Sequence, residues 1–298
     1  MALALVSKPD TSAPTLETAT LPPLGPGDLR VRVTAASVDP VDTLVARGPA
    51  RAIFGLTGTV GLGFSLTGVV TEIGADVTGF SIGDPVAAIH GDVTAPVRGQ
   101  AEETVVPASA TALLPSGLDP VAAASLPVNA STAAQLLDRL GAANERTLLV
   151  TGAAGAVGGY AVALAAHAGW TVTGLARESD RDFVLKAGAH ELVTAVPGPS
   201  FDAVLDAAVL HAAALASVRD GGAFVGVPSA SIATAERGIE ISIASVQPDG
   251  SQIAELLALA VAGVLELRVA GQVPLAEAST AYDKVAGGNQ RGRWLLVP

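Results

Sequence analysis

The chain has 298 residues, half of them hydrophobic and only 15% charged, with a net charge of −11. This composition suits a compact globular protein of one large or two medium domains and excludes a disordered one; the acidic balance leaves nothing to neutralise the phosphates of a nucleic acid. With no cysteine there can be no disulfide and no thiolate zinc site, and the four histidines (His90, His167, His190 and His211) share no ligand spacing.

In chain order, residues 1–118 read as a β-rich domain. Strands are predicted at Leu3–Ser7, Leu29–Val38, Ser65–Ile73, Pro85–Ile89 and Ala101–Val106, between Pro- and Gly-rich turns, in the manner of a small barrel. From residue 119 to 264 strand and helix alternate. Strands are expected at Leu148–Val150, Thr171–Leu175, Glu191–Val193, Ala203–Asp206, Ala223–Val227 and Ile239–Ile243. Helices are expected over 156–168, 179–187, 210–219 and 251–263. Such alternation predicts a doubly wound parallel sheet, an α/β fold. Residues 265–298 read as a strand (Leu265–Val269), an amphipathic helix (Leu275–Ala286) and a closing strand (Trp294–Val297), returning to the first domain. No leader and no apolar run of membrane-spanning length is visible, so a soluble cytoplasmic protein without membrane partners is expected.

The most informative stretch is Thr147–Gly169. A short aliphatic strand ends in Gly152-Ala-Ala-Gly155-Ala-Val-Gly158, which opens an alanine-rich helix. Gly152 allows a sharp turn, Gly155 lets the backbone approach a pyrophosphate, and Gly158 lets helix and strand pack closely. The amides near Ala156 and Val157 then face an anion with the helix dipole behind them. The same segment fits the glycine signature of short-chain dehydrogenases. Those need a tyrosine with lysine four residues later, and Tyr160 and Tyr282 are followed at that spacing by Leu164 and Ala286.

Several further segments stand in a telling order. Ala36-Ser-Val-Asp-Pro-Val-Asp42 with Arg47-Gly48 comes first, then Gly63-Phe-Ser-Leu-Thr-Gly68 and Gly83-Asp-Pro-Val86. Leu126-Pro-Val-Asn-Ala-Ser-Thr132, the glycine turn and Phe201-Asp-Ala-Val-Leu-Asp206 follow. Gly221-Gly-Ala-Phe-Val-Gly226 and Gly292-Arg-Trp-Leu-Leu296 close the series. Over nearly the whole chain this resembles the medium-chain dehydrogenase/reductase superfamily, in its zinc-free quinone oxidoreductase and enoyl reductase branch.

The resemblance implies a GroES-like β-barrel domain joined to a Rossmann domain, a cleft between them for a nicotinamide cofactor, and a homodimer, for which the Ala223–Val227 strand and its neighbours could supply an edge. It implies cofactor contacts at Asn129, Thr132, Gly152, Gly155–Gly158, Ala208, Val209, Gly226, Val227 and Pro228, and at Asn289. It also implies hydride transfer to an activated C=C bond or a quinone, with a small unsaturated carbonyl compound or quinone as substrate. The substrate would lie among Ser37–Leu44, Phe54–Phe64 and His90–Val97.

After the second strand of the nucleotide domain come Arg177 and Arg181, where an NAD binder usually carries an acidic residue. Guanidinium groups suit a 2′-phosphate, so NADPH is expected. Against this, the neighbouring Glu178 and Asp182 could pair with the arginines on a solvated face. The family's Asn-Pro-x-Asp followed by tyrosine is here Asp39-Pro-Val-Asp42 followed by Leu44, which removes both the amide and the phenol. Asp39 is then a candidate proton donor or base, with a turn aspartate as the plainer alternative. His90 and Thr132 are the other catalytic candidates. Two further readings keep the fold: a non-redox cyclase or isomerase using Asp39, and an NADPH-binding regulator without turnover.

Overall fold

The structure, a computed structural model, describes residues 1–228 and 234–298, which form two compact units. The first comprises Met1–Val128, Gln247–Val261 and Glu266–Pro298, and the second Asn129–Val246 and Ala262–Leu265.

The first unit opens with β1 (Ala2–Ser7), β2 (Thr15–Ala19) and β3 (Asp28–Val38), then the short helices α1 (Pro40–Ala46) and α2 (Pro49–Ile53). It continues with β4 (Val60–Gly61), β5 (Ser65–Ile73), β6 (Pro85–Ile89), β7 (Glu103–Pro107), β8 (Thr111–Leu113) and α3 (Pro120–Ala123). Strands β2, β1 and β4 make a small sheet, and a larger one includes β3, β5, β6 and β8 with β7 paired to β3. Along β3 the residues Leu29, Val31 and Val33 alternate inward onto Val70, Val86 and Val106, the period-2 pattern of a half-buried strand.

Helix α4 (Pro127–Asp138) crosses the boundary between the units. The second unit then runs β9 (Thr147–Thr151), α5 (Ala156–His167), β10 (Thr171–Leu175), α6 (Arg181–Lys186), β11 (Glu191–Val193), β12 (Phe201–Asp206), α7 (Ala212–Leu215), β13 (Val218–Gly226) and β14 (Glu240–Ile243). Among the described residues its six strands are all parallel, in the order β11-β10-β9-β12-β13-β14. That order reverses between β9 and β12, the switch point at which doubly wound sheets take ligands. Residues Leu148–Thr151 of β9 are buried on both faces, which is why a continuous aliphatic run was legible as a strand.

The chain closes in the first unit with α8 (Gly250–Val261), β15 (Val269–Pro274), α9 (Ala278–Ala286) and β16 (Arg293–Val297). Strand β16 pairs antiparallel with β3, joining this segment to the larger sheet.

The architecture is the expected one, with differences in detail. Helix α8, grouped by sequence with the nucleotide domain, belongs to the first unit: Gly250 packs against the Thr111 backbone so closely that a Cβ would collide with it. The helix expected over 210–219 is only Ala212–Leu215, because Val218 already starts β13. The strand expected at Leu265–Val269 lies at Val269–Pro274. Ala223–Val227 belongs mostly to β13, an interior strand, and the edge beside it is β14. Strands β2, β4 and β8 and helices α1, α2, α3 and α4 were not anticipated. Helix α1 is set by Pro40 in its first turn and by the Asp42 carboxylate, which accepts the Asp39 N–H at 2.9 Å. Among the described residues no helix is long and apolar enough to cross a membrane.

Candidate functional site

In the second unit the glycine turn lies where β9 ends. Gly152 has φ +61°, and Gly155 N–H closes onto Gly152 O at 2.8 Å. A Cβ at Gly158 would collide with the Gly152 carbonyl, so only glycine lets α5 start this close to β9. A Cβ at Gly155 would meet only that same carbonyl, at 3.1 Å, and otherwise enter open space. Gly155 caps α5 with extended backbone and no side-chain cap. The amides of Ala156, Val157 and Gly158 thus head a three-turn helix, an arrangement suited to an anionic oxygen. The residues fit the pyrophosphate of a dinucleotide.

Across the switch point, Asp206 at the end of β12 organises the next loop. Its carboxylate accepts from Thr151 Oγ1 at 2.6 Å, Leu210 N at 3.1 Å and His211 N at 2.8 Å. Thr151 Oγ1 accepts in turn from Ala208 N at 3.0 Å. This clamp holds Val209 at φ +59°, a conformation rarely adopted by a β-branched residue. It also sets Ala208 against Gly152. Gly226 ends β13, and the half-buried Val227 and exposed Pro228 follow it. Gly152, Ala208–Val209 and Gly226–Pro228 therefore share the carboxyl edge of one parallel sheet. Asn129 (buried) and Thr132 (half-buried) lie on α4, in its first and second turns.

Arg177 follows β10 at that same edge. Its Nε is 3.7 Å from Asp180 Oδ2. Arg181 is held by Glu178 in a two-pronged pair, with Nε to Oε1 at 2.5 Å and Nη2 to Oε2 at 2.8 Å. The expected pairing with Glu178 is present for Arg181, and Arg177 lies beside Asp180.

The first unit carries the other candidates in a buried polar cluster. Asp39 is 3% exposed, and both its oxygens accept: Oδ2 from Ser37 Oγ at 2.7 Å and Oδ1 from Arg293 Nε at 2.7 Å. A carboxylate engaged in this way ties the start of α1 to β16. Asp42 accepts from Asp39 N, from Gly63 N at 3.0 Å and from Gln100 Nε2 at 3.4 Å. Burial, reinforced by the Asp39 charge, pushes its carboxyl up to about 7. Gln100 also donates to Ser37 O and accepts from Tyr282 Oη at 2.6 Å. His90 is buried. Desolvation, with the Arg98 guanidinium nearby, lowers its pKa to about 4, so it is a neutral imidazole at neutral pH. Asn289 has φ +62° and lines a cavity of about 160 Å³ with Pro40, Gln290 and Arg293. Arg98, Gln100 and Arg293 were not singled out from the sequence. Only Arg293 lay in a quoted motif.

Among the described residues no three His, Cys, Asp or Glu side chains are close enough to hold a metal. Asp39 is committed to Arg293, and the donor set does not suit a zinc ion.

This is a GroES-like domain combined with a doubly wound dinucleotide fold. The alcohol dehydrogenase GroES-like domain family matches residues 25–117, and the zinc-binding dehydrogenase family matches residues 180–296. A quinone-oxidoreductase homolog from chloroplasts of Spinacia oleracea is 30% identical over 172 residues, covering 56% of this chain and 52% of its own length. The 2-methylene-furan-3-one reductase of Solanum lycopersicum is 32% identical over 154 residues, covering 49% of this chain and 39% of its own. The matched stretch is thus about half the length of these relatives or less. The quinone oxidoreductase structure from Coxiella burnetii superposes with a TM-score of 0.88 at 24% identity, covering 100% of this chain and 99% of that one, a likeness of fold. The chain belongs to the medium-chain dehydrogenase/reductase superfamily, in its quinone oxidoreductase-like branch.

Proposed function

We propose that the protein is an NADPH-dependent, metal-independent reductase delivering hydride to a C=C bond conjugated with a carbonyl, or to a quinone. The observation that carries this is the uncapped start of α5 behind Gly155, at the switch point of the second unit's sheet. The amides of Ala156–Gly158 hold the pyrophosphate. Arg177 and Arg181 grip a 2′-phosphate, and the exposed Arg181–Glu178 pair is cheap to exchange. Ala208, Val209 and Gly226–Pro228 flank the ribose and nicotinamide, and Asn129 and Thr132 donate to or accept from the cofactor. When bound, the reduced nicotinamide supplies the hydride. Asp39 orients α1 through Arg293 and takes no part in proton transfer; the proton that completes reduction comes from water. The metal-independent reading rests on the donor set: no thiolate, and Asp39 tied to Arg293.

With aromatic residues at 3% of the chain there are few stacking partners for flat polycyclic quinones, so an enone or enoyl substrate is favoured. The similarity to an enone reductase points the same way. A cyclase or isomerase using Asp39 as its acid or base is disfavoured, because both carboxylate oxygens are occupied.

The test follows the near-ultraviolet absorbance of NADPH with a panel of enones, enoyl thioesters and quinones. Consumption with any of them supports the reading. Tight NADPH binding without consumption would replace it with a regulatory role, and substrate conversion without NADPH loss would replace it with isomerase chemistry.

A further inference from the structure

One loop of the first unit carries polar groups that the proposed reaction leaves unused. His90 follows β6 and donates its backbone N–H to Phe64 O at 2.7 Å. Eight residues later the Arg98 guanidinium donates Nη2–H back to His90 O at 2.7 Å. The guanidinium also lies 3.9 Å from the centre of the Phe64 ring. His90 is 3% exposed and Arg98 only 1%. Two of their nitrogens, His90 Nδ1 and Arg98 Nε, are shut off from solvent with no hydrogen bond among the described residues, although the backbone of His90 and Val105 acts on the imidazole. Stranding a charged N–H in this way is among the more expensive things a folded chain can do. A loop staple would need only the Nη2 contact, so the second edge of the guanidinium requires a reason of its own.

We propose that His90 and Arg98 form an oxygen-binding pair for the substrate carbonyl, with Arg98 Nε–H and a neutral His90 Nδ1–H as its two donors. The carbonyl as ligand class rests on the reductase reading above. Charge favours a carbonyl over a full anion. Asp39 pairs with Arg293, and Asp42 on α1 and Asp92 on the loop act on Arg98, with the Tyr282 phenol of α9 neutral beside them, so part of the positive charge is already met. An oxygen that gains negative charge only as hydride arrives benefits most from donors fixed in advance. His90 suits the role because it stays neutral and keeps its N–H well below pH 7. Residues 91–97, which join the two side chains, carry no regular structure, and Gly91, Asp92, Thr94 and Pro96 among them are exposed. Opening of this segment admits the oxygen.

The experiment records the ring nitrogen resonances of His90 in 15N-histidine-labelled protein, without nucleotide, while 2-cyclohexen-1-one is added, with cyclohexene as the control lacking the oxygen. The expected result is a saturable shift with the enone, none with cyclohexene, and at least tenfold weaker binding in Arg98→Lys, which keeps the charge but loses Nε–H. Arg98→Met should abolish the response and let the imidazole titrate at higher pH. No response to the enone, an equal response to cyclohexene, or an unchanged response in the folded Arg98→Lys protein would overturn the proposal. NADPH binding measured separately by calorimetry distinguishes the two readings: its failure with the His90 response intact would sink the reductase alone.

Discussion

Arg293 Nε meets Asp39 Oδ1 at 2.7 Å across 254 residues of chain, and both side chains are largely buried. The pair ties the start of α1 to β16. Removing one partner of a buried pair leaves an uncompensated charge, typically at a cost of about 3–5 kcal/mol. Arg293→Met should lose stability on that order in urea denaturation, and Asp39→Asn in the same background should restore part of it. Asp39→Asn alone should lower stability while any turnover persists in the folded fraction. Turnover abolished at unchanged stability would return Asp39 to the role of acid or base.

The glycines of the turn should separate folding from binding. At Gly158 an added methyl collides with the Gly152 carbonyl, so Gly158→Ala should be clearly destabilised. At Gly155 the methyl meets one carbonyl and otherwise fills space assigned to a phosphate. Gly155→Ala should therefore melt close to wild type, while its dissociation constant for NADPH in calorimetry weakens at least about tenfold, or ~1.4 kcal/mol. Equal affinity in the two proteins would remove the pyrophosphate from this turn.

Arg177 and Arg181 should differ in their weight. Loss of a charge-assisted contact to the 2′-phosphate should raise the Michaelis constant for NADPH in Arg177→Ala on the order of tenfold, and leave that for NADH unchanged. Arg181 is gripped by Glu178, which must release it first. Glu178→Gln should then lower the NADPH constant severalfold. An unchanged NADPH-to-NADH ratio in Arg177→Ala would argue against these arginines as the phosphate grip.

These contrasts follow what sequence can carry. Gly152, Gly155 and Gly158 are legible because strand, turn and helix follow one another within twelve residues and each glycine answers a local steric demand. The Arg181–Glu178 pair is legible for the same reason, three residues apart. The cluster around Asp39 is not. Tyr282 reaches Gln100 across 182 residues and Gly63 reaches Asp42 across 21, contacts that only β3, β16 and α9 bring together. Asp39 reads equally as a proton donor, a base or a turn aspartate, because a motif does not show a carboxylate's partners. Helix α1 was missed because Pro40 reads as a turn residue, although it also suits a first helical turn.

The same cluster makes opposing demands on pH. His90 falls from an ordinary value of 6.5 to about 4 in the folded protein, so between those values the unfolded chain holds more protons and stability rises with pH. Asp42 rises from 3.8 to about 7, so over that range the folded chain holds more protons and stability falls as pH rises. Between pH ~4 and ~6.5 the two slopes oppose each other. Relative to wild type, His90→Gln should therefore lose the contribution that rises with pH, and its urea-derived stability should decline more steeply from pH 4 to 6.5. Asp42→Asn should lose the falling contribution and show the opposite tilt, gaining relative stability as pH rises. If both variants kept the wild-type slope, neither group would titrate with folding, and the buried carboxyl and imidazole would have to share their protons with the unfolded chain at its ordinary values.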